Sequence, residues 1–297
     1  MYKYELYERK DYLYHFRLQE IFKDFNYFIE LNKKNECVRK YLVRNTKFKE
    51  FKKINKQSDF ADESSFDSVE NFFQLCIEKA MFVTLYLNHY EVSGIVNNFS
   101  DGYILLDTFE FTAEQNGISL IPLSEVDDIS WDGMHEKKLE KFSNYKKQQY
   151  DLKDILNLCS NKAEICEIYR QGNINTFLVG LCKELNEDYF LIESIDLLGN
   201  PNGYVLIHKQ LVDYFSFRTK YIKLYQFGKS ENEWETLVAF LEHLKNSKEE
   251  FFLSDYKGKE YWDNILTDFN DSSIFFCQNG RKRKLSIKEI DVIDTRK

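Results

Sequence analysis

Proline is nearly absent from this chain of 297 residues, with 2 in all, and glycine is sparse at 11. Those counts exclude collagen-like order and the Pro- or Gly-rich linkers of loosely strung modules. The six cysteines (Cys37, Cys76, Cys159, Cys166, Cys182 and Cys277) include no C-x-x-C pair and lie scattered in apolar stretches. They read as small buried hydrophobes in a reducing compartment, not as a disulfide framework. No stretch reaches the roughly 18 uncharged apolar residues of a membrane-spanning helix. The opening residues carry charge every few positions and have no apolar centre of a secretory leader. The expectation is a soluble, cytoplasmic protein without membrane contact. The five histidines (His15, His89, His135, His208 and His243) lie far apart, with no H-E-x-x-H and no Cys–His pairing at metal spacing. G-x-S-x-G, the P-loop and G-x-G-x-x-G are missing too. The sequence therefore points to no catalytic residue, no metal site and no cofactor.

Hydrophobic residues make up 43% and aromatics 16%, with 26 Phe and 20 Tyr, which is ample apolar area for packed cores. The length suits two to four units. Charge is uneven. Residues 33–56 hold ten Lys or Arg, beginning with Lys33 and Lys34, against Glu36 and Glu50; that local +8 leaves −16 on the rest of a chain whose net charge is −8.

Between residues 11 and 55, Leu13, Phe16, Ile21, Phe25, Phe28 and Leu31 recur at three- to five-residue steps, a spacing that predicts helix. Residues 57–68 are polar and acidic, as a linker would be. One order of elements then repeats three times. The copies open with apolar helix faces: Phe66, Val69, Phe72, Phe73, Cys76 and Ile77 in the first, Leu152, Ile155, Leu156 and Cys159 in the second, and Trp234, Leu237, Val238, Leu241 and Leu244 in the third. A β-like run follows each, and then Gly94, Gly180 or Asn264 stands nine residues before Tyr103, Tyr189 or Ser273. Glycine in a second strand allows a sharp bend. The copies end on Leu123-x-x-Val126-x-x-Ile129, His208-x-x-Leu211-x-x-Tyr214 and Ile287-x-x-Ile290-x-x-Ile293. An apolar residue every third position suits a one-turn 3₁₀ link between strands.

Helix, five strands, a glycine in the second strand, the Asp101-Gly102-Tyr103 turn and the one-turn link together resemble the Sm-like, SH3-like small-barrel fold. The resemblance implies an α+β protein of three tandem helix-plus-five-stranded antiparallel barrels behind an N-terminal helical segment. The corresponding division is 1–64 for that segment and linker, and 65–149, 150–230 and 231–297 for the barrels. Sm-like proteins commonly bind RNA as rings, through an Asp and an Asn at strand three and an Arg-Gly pair before the last strand. Here Asp101 or Asp188 matches the acidic position. Apolar Ile104 to Leu106 and Phe190 to Ile192 stand where the Asn belongs, and Ser124-Glu125, Lys209-Gln210 and Lys288-Glu289 replace the Arg-Gly pair.

Three charged segments remain. In the basic run, Lys40, Arg44, Lys47 and Lys52 are interleaved with Tyr41, Phe48 and Phe51, a composition for neutralising phosphates and stacking bases. It equally suits a solvated face or an electrostatic latch onto the chain's own acidic remainder. Arg281, Lys282, Arg283 and Lys284 follow Asn279-Gly280, which favours a type I′ hairpin, so they form either a basic grip or a solubilising tip. Glu125, Asp127, Asp128 and Asp132 read as a charged sheet edge before a divalent-metal site, because alternate strand positions face opposite ways. The function expected is a non-catalytic cytoplasmic scaffold that engages a protein partner. RNA or single-stranded nucleic-acid binding through 33–56 and 281–284 is the alternative, and an enzyme with a site at a barrel junction the third possibility.

Overall fold

A computed structural model describes residues 4–9, 15–32, 36–58, 66–87, 90–145, 150, 154–155, 157, 161–170, 177–196, 198–224 and 236–296. The chain divides into two compact units, Met1–Leu152 and Lys153–Lys297. In the N-terminal unit, five strands come first: Tyr4–Arg9 (β1), His15–Ile21 (β2), Phe25–Leu31 (β3), Cys37–Arg44 (β4) and Phe51–Ser58 (β5). Helix Val69–Lys79 (α1) precedes five more, Phe82–Leu87 (β6), Glu91–Ser100 (β7), Tyr103–Phe109 (β8), Gln115–Pro122 (β9) and Val126–Trp131 (β10), and helix Met134–Phe142 (α2) follows. The C-terminal unit holds Asn161–Arg170 (β11), Leu178–Glu184 (β12), Tyr189–Ile195 (β13), Pro201–His208 (β14) and Val212–Phe217 (β15). Helix Leu237–Ser247 (α3) then leads into Glu250–Asp255 (β16), Glu260–Asn270 (β17), Ser273–Gln278 (β18), Arg281–Ser286 (β19) and Ile290–Asp294 (β20).

The protein is thus mostly β, and the expected α+β set of three helix-plus-barrel units behind an N-terminal helical segment is not what forms. Among the described residues, the first 58 form β1–β5 and one 3₁₀ turn, Asn45–Glu50, with no α-helix. The five-stranded segments number four; three α-helices have described bounds, and residues 154, 155 and 157 are helical besides. Nor does each segment close on itself. Its fifth strand pairs with its first (β1–β5, β6–β10, β11–β15 and β16–β20). Its fourth strand is taken instead by a different segment: β4 pairs with β10 at Val43↔Asp128 through Lys40↔Trp131, and β14 with β20 at Val205↔Asp294 through Ile207↔Val292. Each unit is therefore one antiparallel sheet of ten strands, and the two share one order. Leu13, Lys33, Lys34, His89, Leu152, Leu156, Cys159 and Trp234 lie outside the described residues.

The helices form where caps permit. Ser68 accepts from the Asn71 N–H at 3.1 Å and Thr236 from the Ala239 N–H at 3.1 Å, while Ala80 and Lys248 end α1 and α3 in the left-handed conformation. Both helices pack over a second strand, α1 on β7 and α3 on β17. The first segment has an aromatic core of Tyr7, Phe16, Phe28, Tyr41 and Phe51, with Phe28 and Phe51 stacked at 4.6 Å. In the C-terminal unit Phe240, Leu241 and Leu244 of α3 join Phe251, Leu253, Ile274, Phe276 and Ile293. The expected 3₁₀ turns stand at Leu123–Glu125, Lys209–Leu211 and Ile287–Glu289.

The repeat markers share one ladder position: Gly94 pairs with Thr108, Gly180 with Ser194 and Asn264 with Gln278, each five residues past the start of the third strand. Backbone approach accounts for the glycines. A Cβ on Gly94 would lie 2.1 Å from the Asp107 carbonyl oxygen, and one on Gly180 would lie 2.1 Å from that of Glu193. The fully buried Asn264 solves a different problem. The β16–β17 register shifts beside it, and its amide donates to the Phe251 carbonyl at 2.9 Å and the Tyr261 carbonyl at 2.6 Å.

Candidate functional site

Four cations of the basic run, Arg39, Lys40, Arg44 and Lys47, are engaged inside the N-terminal unit. Lys40 Nζ meets Asp132 at 3.2 Å, and Lys47, in the 3₁₀ turn Asn45–Glu50, meets Asp127 at 3.1 Å. Arg9 bonds Asp128 at 2.6 Å. Arg44 donates to the Val126 carbonyl at 2.6 Å and to the Leu123 carbonyl, with its guanidinium 4.7 Å from the Phe25 ring. Burial pulls the Arg44 pKa below its ordinary value against the pull of Asp127, Asp24 and Glu125. Lys52, on β5, is exposed. The acidic residues Asp127 and Asp128 consequently do not sit on a sheet edge as expected. Their strand, β10, runs between β4 and β6, with Asp127 paired to Lys47 and Asp128 to Arg9 of β1. Among the described residues, no three His, Cys, Asp or Glu side chains are grouped to hold a metal.

A polar network beneath this ladder escaped the sequence, since its members come from six elements and follow no motif. Glu136, in the first turn of α2 and 2% exposed, accepts through Oε1 from Thr84 and Ser130 at 2.8 Å each. Its Oε2 faces Arg39 Nε at 3.8 Å. Arg39 also donates to the hydroxyls of Tyr41 at 3.1 Å and Tyr86 at 3.3 Å. Burial opposes the Arg39 charge, but Tyr41, Glu136 and Tyr86 outweigh it and raise the pKa. Gly133 leaves the room: a Cβ there would fall 2.2 Å from Arg39 Nε. Thr84 Oγ1 lies 3.0 Å from Ser93 Oγ, which in turn lies 3.1 Å from His135 Nε2. The chemistry of this cluster is that of a clamp, with one carboxylate and one guanidinium joining the first segment to the second.

Glu30 stands in the same cluster, and burial pushes its carboxyl above the ordinary range despite Arg39 and Tyr41. A folded-state pKa above the unfolded one means that stability falls as pH rises through that interval. Glu30→Gln is therefore expected to stabilise the protein at neutral pH, with the gain disappearing below the ordinary carboxylate pKa. Urea midpoints compared at pH 4 and pH 7 check this, and a gain that is larger at pH 4 contradicts it.

The second basic segment has a different fate. Asn279 and Gly280 have φ of 48° and 75°, as a type I′ turn requires, and they join β18 to β19. Arg281, Lys282, Arg283 and Lys284 are all exposed, and none forms an ion pair among the described residues. In a two-residue hairpin the flanking pair, Gln278 and Arg281, is hydrogen-bonded. Alternation then turns the N–H groups of Arg283 and Leu285 towards β18 and those of Lys282, Lys284 and Ser286 away from it. The Ser286 N–H is taken up by the Glu289 carboxylate at 3.3 Å. Those of Lys282 and Lys284 face outwards on the side of β19 where the described residues supply no further strand. No helix of the described residues is long and apolar enough to cross a membrane.

No family model matches this chain, and no curated protein matches it.

Proposed function

We propose that the protein is a non-catalytic cytoplasmic scaffold that engages a protein partner through its open sheet edge. The observation that carries this reading is β19, a strand with four exposed cations and outward N–H groups at Lys282 and Lys284. Exposed edges of this kind are templates for strand pairing, and main-chain hydrogen bonds supply affinity once another chain is laid alongside. The nucleic-acid alternative has less support. Of its residues in the first basic segment, Lys40 and Lys47 are paired with aspartates and Arg44 with main-chain carbonyls.

The test is capture from a lysate of the source cells by the immobilised full chain, with and without nuclease and at two salt concentrations. A protein retained after nuclease treatment is the expected result. Retention of nucleic acid alone, falling steeply with salt, overturns the reading.

A further inference from the structure

Resting on that reading, we infer the chemistry of the partner: an acidic, extended peptide segment that adds to β19 as an antiparallel strand. The chain itself shows how a basic fourth strand is completed. β4, with Arg39, Lys40 and Arg44, receives β10, whose sequence is Val-Asp-Asp-Ile-Ser-Trp. The ion pairs at the join are Lys40 of β4 with Asp132, just past β10, at 3.2 Å, Lys47 of the turn after β4 with Asp127 at 3.1 Å, and Arg9 of β1 with Asp128 at 2.6 Å. β19 is the fourth strand of the last segment. It carries its cations on both faces, Arg281 and Arg283 on the side of Leu285, and Lys282 and Lys284 on the other.

A second copy of the chain is a poor occupant. Strand β5 is the fifth-type strand that a head-to-tail copy would offer, since among the described residues it pairs with β1 alone. Its sequence, Phe-Lys-Lys-Ile-Asn-Lys-Gln-Ser, is itself basic, and like charges directly opposite one another are destabilising. Charge complementarity selects a carboxylate-rich strand instead.

The probe is a synthetic peptide of residues 123–132, blocked at both ends, titrated into the full chain. Two double variants separate backbone from side chain. Lys282→Gln with Lys284→Gln removes two charges and keeps the outward N–H groups. Lys282→Pro with Lys284→Pro removes the same charges and the N–H groups too, while leaving the ladder to β18 its donors. The Pro variant is expected to bind at least about tenfold more weakly than the Gln variant, from the loss of two main-chain hydrogen bonds. Amide exchange at Lys282 and Lys284 in the unsubstituted protein is expected to slow when the peptide binds, which holds the test open should the Pro variant fail to fold. Equal binding by the two variants, unchanged exchange, or equal binding of a peptide with every Asp and Glu replaced by Asn or Gln overturns the inference. Salt-sensitive binding of single-stranded RNA that the Gln and Pro variants lose equally also overturns it, because phosphate contact needs no edge donors. If lysate capture of a protein persists while the peptide fails, the scaffold reading survives and strand addition does not; if capture also fails, both fall.

Discussion

Glu136→Ala is expected to destabilise the N-terminal unit by about 3 kcal/mol, the combined cost of leaving two buried hydroxyls and a half-buried guanidinium without their carboxylate and of opening a void. Three effects coincide there. The Thr84 and Ser130 hydroxyls lose a common acceptor, Arg39 keeps a charge whose carboxylate is gone, and a buried void opens under α2. Glu136→Gln retains an acceptor for the hydroxyls and fills the space, so its loss is expected to be smaller. Denaturant unfolding of both variants at neutral pH measures the difference. A Glu136→Ala midpoint equal to that of the unsubstituted protein would show that the clamp contributes nothing.

Alanine at either strand glycine is the second large effect. Gly94→Ala and Gly180→Ala each place a methyl carbon 2.1 Å from a carbonyl oxygen of the neighbouring strand, a distance that no side-chain adjustment relieves. The strands must separate, breaking ladder bonds on both sides, and the expected loss is about 3 kcal/mol, at the upper end for overpacking. Gly102 provides the contrast. An added Cβ there meets nothing within 4 Å, and only its φ of 77° is unfavourable, so Gly102→Ala is expected to lose about 1 kcal/mol. Circular dichroism melts of the three variants order them. Gly94→Ala melting with or above Gly102→Ala would remove close approach as the reason for glycine.

The shared position of these glycines was legible because a backbone collision leaves only one residue type. Asn264 was legible as a register mark through the apolar strand that follows it, although its chemistry, an amide filling two carbonyls at a bulge, has no sequence signal. The first segment was misread for a physical reason. The β2–β3 register shifts between Leu18 and Glu20, and the turn at residues 22–24 follows at once. The bulge and turn interrupt the period of two between Phe16 and Phe25, and β3, buried at every position from Phe25 to Leu31, shows no alternation to contradict helical steps of three. No glycine marks this segment, whose second strand buries Phe16 completely. The latch of the basic run onto the chain's own carboxylates could be anticipated from the charge asymmetry, but not the choice of strand. Lys40 and Asp132 are joined by a ladder spanning two segments, and composition says nothing of ladders. Asn279-Gly280 marked the hairpin, but Arg281 to Lys284, expected at its tip, form the strand β19 that the turn leads into.

The insertion of β10 between β4 and β6 also governs how the N-terminal unit holds together. A chain cut after Ser58 would leave two fragments, neither with its full complement of neighbours: β4 would lose the strand that covers it, and β10 would lose one of its two ladders. The fragments retain complementary sides, one cationic and one anionic, so they are suited to reassemble as a split pair. Shared ladders of this kind lead us to expect the unit to melt in one transition, its two halves acting as interlocking pieces.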